Sequence, residues 1–127
     1  MEAQTIRAGT QILIGAPAEP MPRAQSAAVA DMLAALGVEE AHLPYCFIPG
    51  AMERAAELLV VVVKPGADVD ALMHEVGCRL AQLLPEGERL DVWPLTEDSG
   101  ALSDVRAVGC QILGPPPRRR KPWWRVW

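Results

Sequence analysis

Leu58-Leu59-Val60-Val61-Val62-Val63 is the stretch whose reading decides the fold. It is an unbroken apolar run inside a segment from Glu53 to Lys64, and four of its six residues are β-branched. A half-exposed strand alternates apolar with polar residues, so a continuous run predicts a central strand buried on both faces. Pro65-Gly66 ends it in a turn.

The flanking elements follow from periodicity and turn chemistry. Gln11-Ile12-Leu13-Ile14-Gly15 reads as a first strand. Gly15-Ala16-Pro17-Ala18-Glu19-Pro20-Met21-Pro22 cannot extend it, since each proline removes a backbone donor. From Arg23 to Leu36, Val29, Met32, Leu33 and Leu36 recur at i, i+3, i+4 and i+7, one face of a helix that Gly37 stops. Val38 to Ile48 reads as a second strand interrupted at Pro44. Asp68 is placed to cap a second helix with Val69, Leu72, Met73, Val76, Leu80 and Leu83 on its apolar face. Leu90 to Leu95 reads as a fourth strand, and Asp98 or Ser99 caps a short third helix that ends at Gly109.

This order predicts an α+β fold of βαββαβ, ferredoxin-like type. Its four-stranded, mainly antiparallel sheet would carry two helices on one face, plus a short C-terminal helix. No helix fits between the second and third strands, which argues against a parallel doubly wound sheet. At 127 residues the chain suits one core. We expect a single domain over 1–114 and a Pro/Arg/Trp-rich tail over 115–127.

Net charge is −4, but it is unevenly spread. Residues 1–114 carry all sixteen acids and seven bases, a balance of −9, while 115–127 carry five bases and no acid. Phosphate repels such an acidic body, so nucleic acid is not the expected partner. No apolar run approaches the ~20 residues of a membrane-spanning helix. The opening Met1-Glu2-Ala3-Gln4-Thr5 does not read as a secretory signal. Three scattered cysteines, Cys46, Cys78 and Cys110, make neither a disulfide nor a zinc framework. The expectation is a cytoplasmic protein with reduced thiols.

Several segments resemble the C-terminal domain of SseB proteins, the enhanced serine sensitivity family. Ile12-Leu13-Ile14-Gly15-Ala16-Pro17-Ala18-Glu19-Pro20 is similar to the strand and loop that open that domain. Val38-Glu39-Glu40-Ala41-His42-Leu43 resembles the strand after its first helix. Leu84-Pro85-Glu86-Gly87-Glu88-Arg89-Leu90-Asp91-Val92-Trp93-Pro94-Leu95 is the most specific likeness, a proline-glutamate-glycine turn followed by a strand ending in proline-leucine. Pro122-Trp123-Trp124-Arg125 is similar to the family's terminal ending. The stretch from about Cys110 to Lys121 has no such counterpart. The resemblance implies a bacterial-type protein and brings no catalytic residues with it.

Residues with chemical potential are few. His74 and Cys78 stand at i, i+4, with Asp70 a turn earlier, and could bind a metal or activate a thiolate. A zinc site needs three or four ligands and no third is visible at a useful spacing, so the plainer reading is a polar helix face. Cys46, between Tyr45 and Phe47, reads as a small core hydrophobe. Glu53, Glu57, Glu86, Glu88 and Asp91 read as a solvated acidic rim. We expect no catalytic residues, no metal and no cofactor. The loop after the first strand has no Gly-x-G pattern, yet Gly15, Pro17 and Arg23 are candidates for contact with a small ligand.

The tail is the least generic segment. Its four prolines favour an extended course with little ordering entropy to lose. Arginine and tryptophan are the residues most enriched at binding hot spots. One docked indole buries on the order of 200 Å², worth several kcal/mol before ordering costs. Arg118, Arg119, Trp123, Trp124, Arg125 and Trp127 are therefore the candidate partner-binding residues. The plainer reading is that Trp123 and Trp124 close the domain's own core. The acidic body disfavours a membrane surface. The sequence thus points to a non-enzymatic binding module that contacts another protein or its own copy, with small-molecule sensing of an amino acid as the alternative.

Overall fold

The computed structural model describes residues 4–5, 13–17, 19–50, 53–88 and 90–114. These form β1 (Gln4–Thr5), β2 (Leu13–Gly15), α1 (Arg23–Ala35), β3 (Glu40–His42), β4 (Tyr45–Phe47), β5 (Ala56–Val63), α2 (Val69–Leu83), β6 (Asp91–Thr96), α3 (Gly100–Val108) and β7 (Gln111–Leu113).

β5 is the predicted apolar strand, and it is buried on both faces. Leu59, Val61 and Val63 pack with Val29 and Leu33 of α1 and with Val76 and Leu80 of α2. Leu58, Val60 and Val62 pack on the other face with Leu102 and Val105 of α3 and with Ile14 and Leu95. The period-two alternation of a strand thus divides one apolar run between two cores.

Both edges of β5 are paired as well. On one side β6 runs parallel to it, from Leu58 opposite Asp91 to Val63 opposite Thr96. On the other side β3 and β4 lie end to end as one antiparallel line. Glu40 faces Val62, His42 faces Val60, Tyr45 faces Glu57 and Cys46 faces Ala56, all in one register. The line breaks at Leu43-Pro44, where proline supplies no donor, yet the Pro44 carbonyl still accepts the Leu58 N–H at 2.9 Å.

The far edge of this broken line is shared. β2 pairs antiparallel with β4 and β7 pairs antiparallel with β3. β1 adds to the outside of β2. The α+β class and the three helices agree with the sequence reading, but the four-stranded ferredoxin-like order does not. In a ferredoxin-like sheet the first strand lies between the third and fourth. Here β6 takes that place, and β2 lies outside β4. The edge of β5 is taken by β6. β6 has six residues and pairs with the whole buried run of β5 from Leu58 to Val63, so that edge is closed to β2. β1 and β7 were not expected, because a two-residue and a three-residue strand carry no readable period.

Helix ends largely follow their local chemistry. The Asp68 carboxylate accepts the Ala71 N–H at 3.1 Å and caps α2, as predicted. Gly109, at φ +80°, ends α3 in a left-handed turn that a side chain would strain. Leu83 departs from the expected α2 face and is 38% exposed. Leu84 packs against the core in its place.

Leu59 is fully buried at the centre of this arrangement. Leu59→Ala is expected to cost about 3 kcal/mol in urea unfolding. A loss below about 1 kcal/mol would mean that β5 is not the packing centre.

Candidate functional site

The shared edge leaves a gap. β2 ends with Gly15 opposite Tyr45, and β7 begins with Gln111 opposite His42. Between them, Leu43 and Pro44 face no strand partner. The Leu43 N–H instead donates to the Cys110 carbonyl at 2.9 Å. A crevice of about 330 Å³ opens at this gap, bounded by Pro17, Met21, Leu43, Glu57, Cys110 and Ile112. The proline-rich loop forms one wall and is pinned by the Tyr45 hydroxyl, which donates to the Glu19 carbonyl at 3.0 Å.

Glu57 is the pivotal acid. It sits half-buried in β5 and accepts the Met21 N–H on Oε2 at 3.3 Å. Burial pushes its carboxyl up from the ordinary range, the Met21 N–H opposes this, and the charge of Glu88 adds to it. Glu57 and Met21 also line an adjoining recess of about 460 Å³ whose acids are Glu19, Glu57 and Glu88. Gln25 reaches Glu88 across this recess at 3.5 Å. No side chain caps the N-terminus of α1, which begins beside it after Pro22.

Cys46 and Cys110 do not read as nucleophiles. Burial pushes both Cys46 and Cys110 up, with the charge of Asp91 adding for Cys46 and that of Glu57 for Cys110. Cys78 is exposed and lies 3.7 Å from His74 Nε2, so the i, i+4 pairing forms. Among the described residues no group of three or more His, Cys, Asp or Glu could hold a metal ion.

The loop candidates separate. Pro17 lines the crevice. Gly15 is buried and borders a different hollow with Tyr45 and Phe47. Arg23 is exposed on the first turn of α1 and lines neither the crevice nor the recess. Arg118, Arg119, Trp123, Trp124, Arg125 and Trp127 lie outside the described residues. Glu86, Glu88 and Asp91 are exposed.

One polar cluster escaped the sequence reading. Arg106 of α3 donates from Nε and Nη2 to both oxygens of Glu40, at 2.8 and 2.7 Å. It also reaches Glu97 at 3.2 Å. Glu40 in turn lies 2.6 Å from Nε2 of His42, a side chain only 1% exposed. Among the described residues the His42 Nδ1 has no hydrogen-bond partner. Arg106 is the main cause holding the Glu40 carboxyl down at about 2, opposed by burial and helped by His42. Glu40 and His42 share a strand face by alternation, but Arg106 is 66 residues away from Glu40, so no local pattern announces it.

These features define a small α+β fold with a crevice and an adjoining acidic recess. The family model of the SseB protein C-terminal domain matches residues 6–108, most of the chain. The chain belongs to that family. The matched segment stops at 108, before β7 and the tail. No curated protein and no solved structure matches the chain. No helix among the described residues is long and apolar enough to cross a membrane.

The Glu40–Arg106 pair gives stability a pH dependence. Folding lowers the Glu40 carboxyl from 4.5 to about 2, so its contribution is complete above 4.5 and fades as pH falls toward 2. The pair is worth about 1–2 kcal/mol, at the low end for a charged hydrogen bond because Arg106 is 43% exposed. Arg106→Gln is expected to lower the urea midpoint at pH 7 and to flatten its decline between pH 5 and pH 3. Parallel curves for the two proteins would remove the pair from the account.

Proposed function

We propose that this domain is a non-catalytic binding module whose partner is another protein, met through its acidic surface and its Arg/Trp tail. The observation that carries the reading is the recess bordered by Glu19, Glu57 and Glu88. Three carboxylates around one open volume favour a guanidinium or ammonium group, and the partial burial of Glu57 reduces the screening such a pair would suffer. The tail offers the reverse chemistry, with Arg118, Arg119 and Arg125 beside Trp123, Trp124 and Trp127. A partner that engages both needs acidic and apolar patches of its own and a basic side chain to enter the recess. The free thiols support a reducing, cytoplasmic setting.

The crevice favours a second reading, small-molecule sensing. About 330 Å³ lies at the low end of ligand-sized sites, which run from roughly 300 to 1,000 Å³. A molecule of amino-acid size would set its ammonium against Glu57 and its carboxylate toward the uncapped start of α1.

The tail reading is tested by capture from lysate with the full chain and with a chain ending at Gly114. The expected result is a protein held by the full chain, lost on truncation and weakened by salt. Equal capture by both chains would sink it, and an insoluble short chain would assign the tryptophans to the core. The sensing reading predicts that one member of an amino-acid panel raises the melting temperature by several degrees at ~100 times its Kd, and that Glu57→Gln removes the rise. A flat panel would discard it.

A further inference from the structure

We infer that the crevice between β2 and β7 is the seat of the chain's own tail, residues 115–127, so that the free protein covers its binding surface with its own Arg/Trp segment. This deepens the proposed function and rests on its reading of Glu57 as an acid that takes a cation. The crevice is an apolar groove with one charge in it. Pro17, Pro20, Met21, Leu43 and Ile112 line it, and Glu57 is its single charged side chain among the described residues. It opens where Leu43 and Pro44 face no strand, so its walls are sheet edge and loop. Glu57 is half-buried and accepts the Met21 N–H, and no ion pair to it forms among the described residues.

The tail has the matching chemistry. It carries Arg118, Arg119, Arg120, Lys121 and Arg125 and no acid, with Trp123, Trp124 and Trp127 among them. A guanidinium suits a half-buried carboxylate, and an indole suits an apolar groove of about 330 Å³. The recess that adjoins the crevice through Met21 and Glu57 adds Glu19 and Glu88, so the whole approach favours a basic segment. Lys64, Arg79 and Arg106 of the body are already engaged with Glu39, Glu75 and Glu40.

The tail also starts in the right place. Ile112 lines the crevice, and the tail follows Gly114, two residues on. Leu113 is level with Ala41, Ala41 is level with Val61, and Glu57 lies four residues back along β5. At about 3.3 Å per residue and about 4.8 Å per strand, Leu113 and Glu57 are about 16 Å apart. Arg118 is five residues past Leu113 and Trp123 is ten, spans of up to about 16 and about 31 Å at roughly 3.1 Å per residue. The first arginine therefore reaches Glu57, and Trp123 has slack to turn into the crevice. A tether this short gives an effective concentration on the order of millimolar, which favours the chain's own crevice over that of a second copy in dilute solution. A partner then has to displace the tail, and one displacement uncovers both the tail and the crevice.

The test uses full-length chains and a dye-labelled synthetic peptide of residues 115–127, followed by fluorescence anisotropy with sedimentation in parallel. One full-length variant combines Arg118→Ser, Arg119→Ser and Arg120→Ser with Trp123→Ala and Trp124→Ala. A second carries the three arginine changes alone and keeps the tryptophans, in case the first is insoluble. The expected result is that every chain is monomeric, that the variants bind the peptide at least about tenfold more tightly than the natural chain, and that adding Glu57→Gln reverses the gain. Equal affinity for natural and variant chains, lost with Glu57→Gln, would overturn the inference and leave Glu57 standing as a cation-taking acid. Binding to none of them would overturn it as well. N-acetylarginine amide then judges Glu57 by itself, through a rise in melting temperature that Glu57→Gln removes, and no rise would end that reading too. A natural chain that sediments as a dimer, beside monomeric variants, would place the tail in a second copy and overturn the inference.

Discussion

A strand that is apolar on both faces must be covered on both faces, and its backbone must be paired on both edges. That double demand, set by Leu58 to Val63, organises the molecule. The odd-numbered side chains call for α1 and α2, and the even-numbered ones call for α3. The backbone calls for two partners of comparable length, and β6 on one side and the β3–β4 line on the other supply them. Burial gives the larger energy, but unpaired amides in a dry strand are costly enough to choose among topologies.

The outer strands are governed by a different balance. β2 and β7 are short, and each lends the cores a few side chains, Ile14 from β2 and Ile112 and Leu113 from β7. Specific polar contacts add to this packing around β3. Arg106 clasps Glu40 across from α3 to β3, and the Leu43 N–H meets the Cys110 carbonyl just before β7. A bidentate pair of this kind supplies orientation, since its two parallel bonds form at only one angle. The crevice exists because the two short strands do not meet.

The legible parts of the sequence were those with a period or a cap. The apolar run of β5, the α1 face through Val29 and Leu33, the break at Pro44 and the Asp68 cap all follow from local pattern. Strand order was not legible, because connectivity alone leaves open which edge of β5 a strand takes. The parallel pairing of Asp91–Thr96 with β5 emerges only with the structure. Site residues divide the same way. His74 and Cys78 could be paired from spacing alone. Pro17 lines the crevice, while Arg23 is exposed on the first turn of α1 and lines neither the crevice nor the recess. Glu57 was read as rim acid and lies half-buried, since the adjoining loop that covers it is far away in sequence. Glu40 and Arg106 meet only through the fold.

The break at Leu43-Pro44 has a consequence for how the molecule comes to exist. One strand line is completed by two short segments from opposite ends of the described chain, β2 near the start and β7 at the close. Neither the first half of the chain nor the second can finish it alone. On a ribosome, the β3 edge from Glu40 to His42 stays open until Leu113 has emerged, long after β2 has become able to pair with β4. The fold is therefore closed late in time, and β7, the last strand among the described residues, serves as the seal.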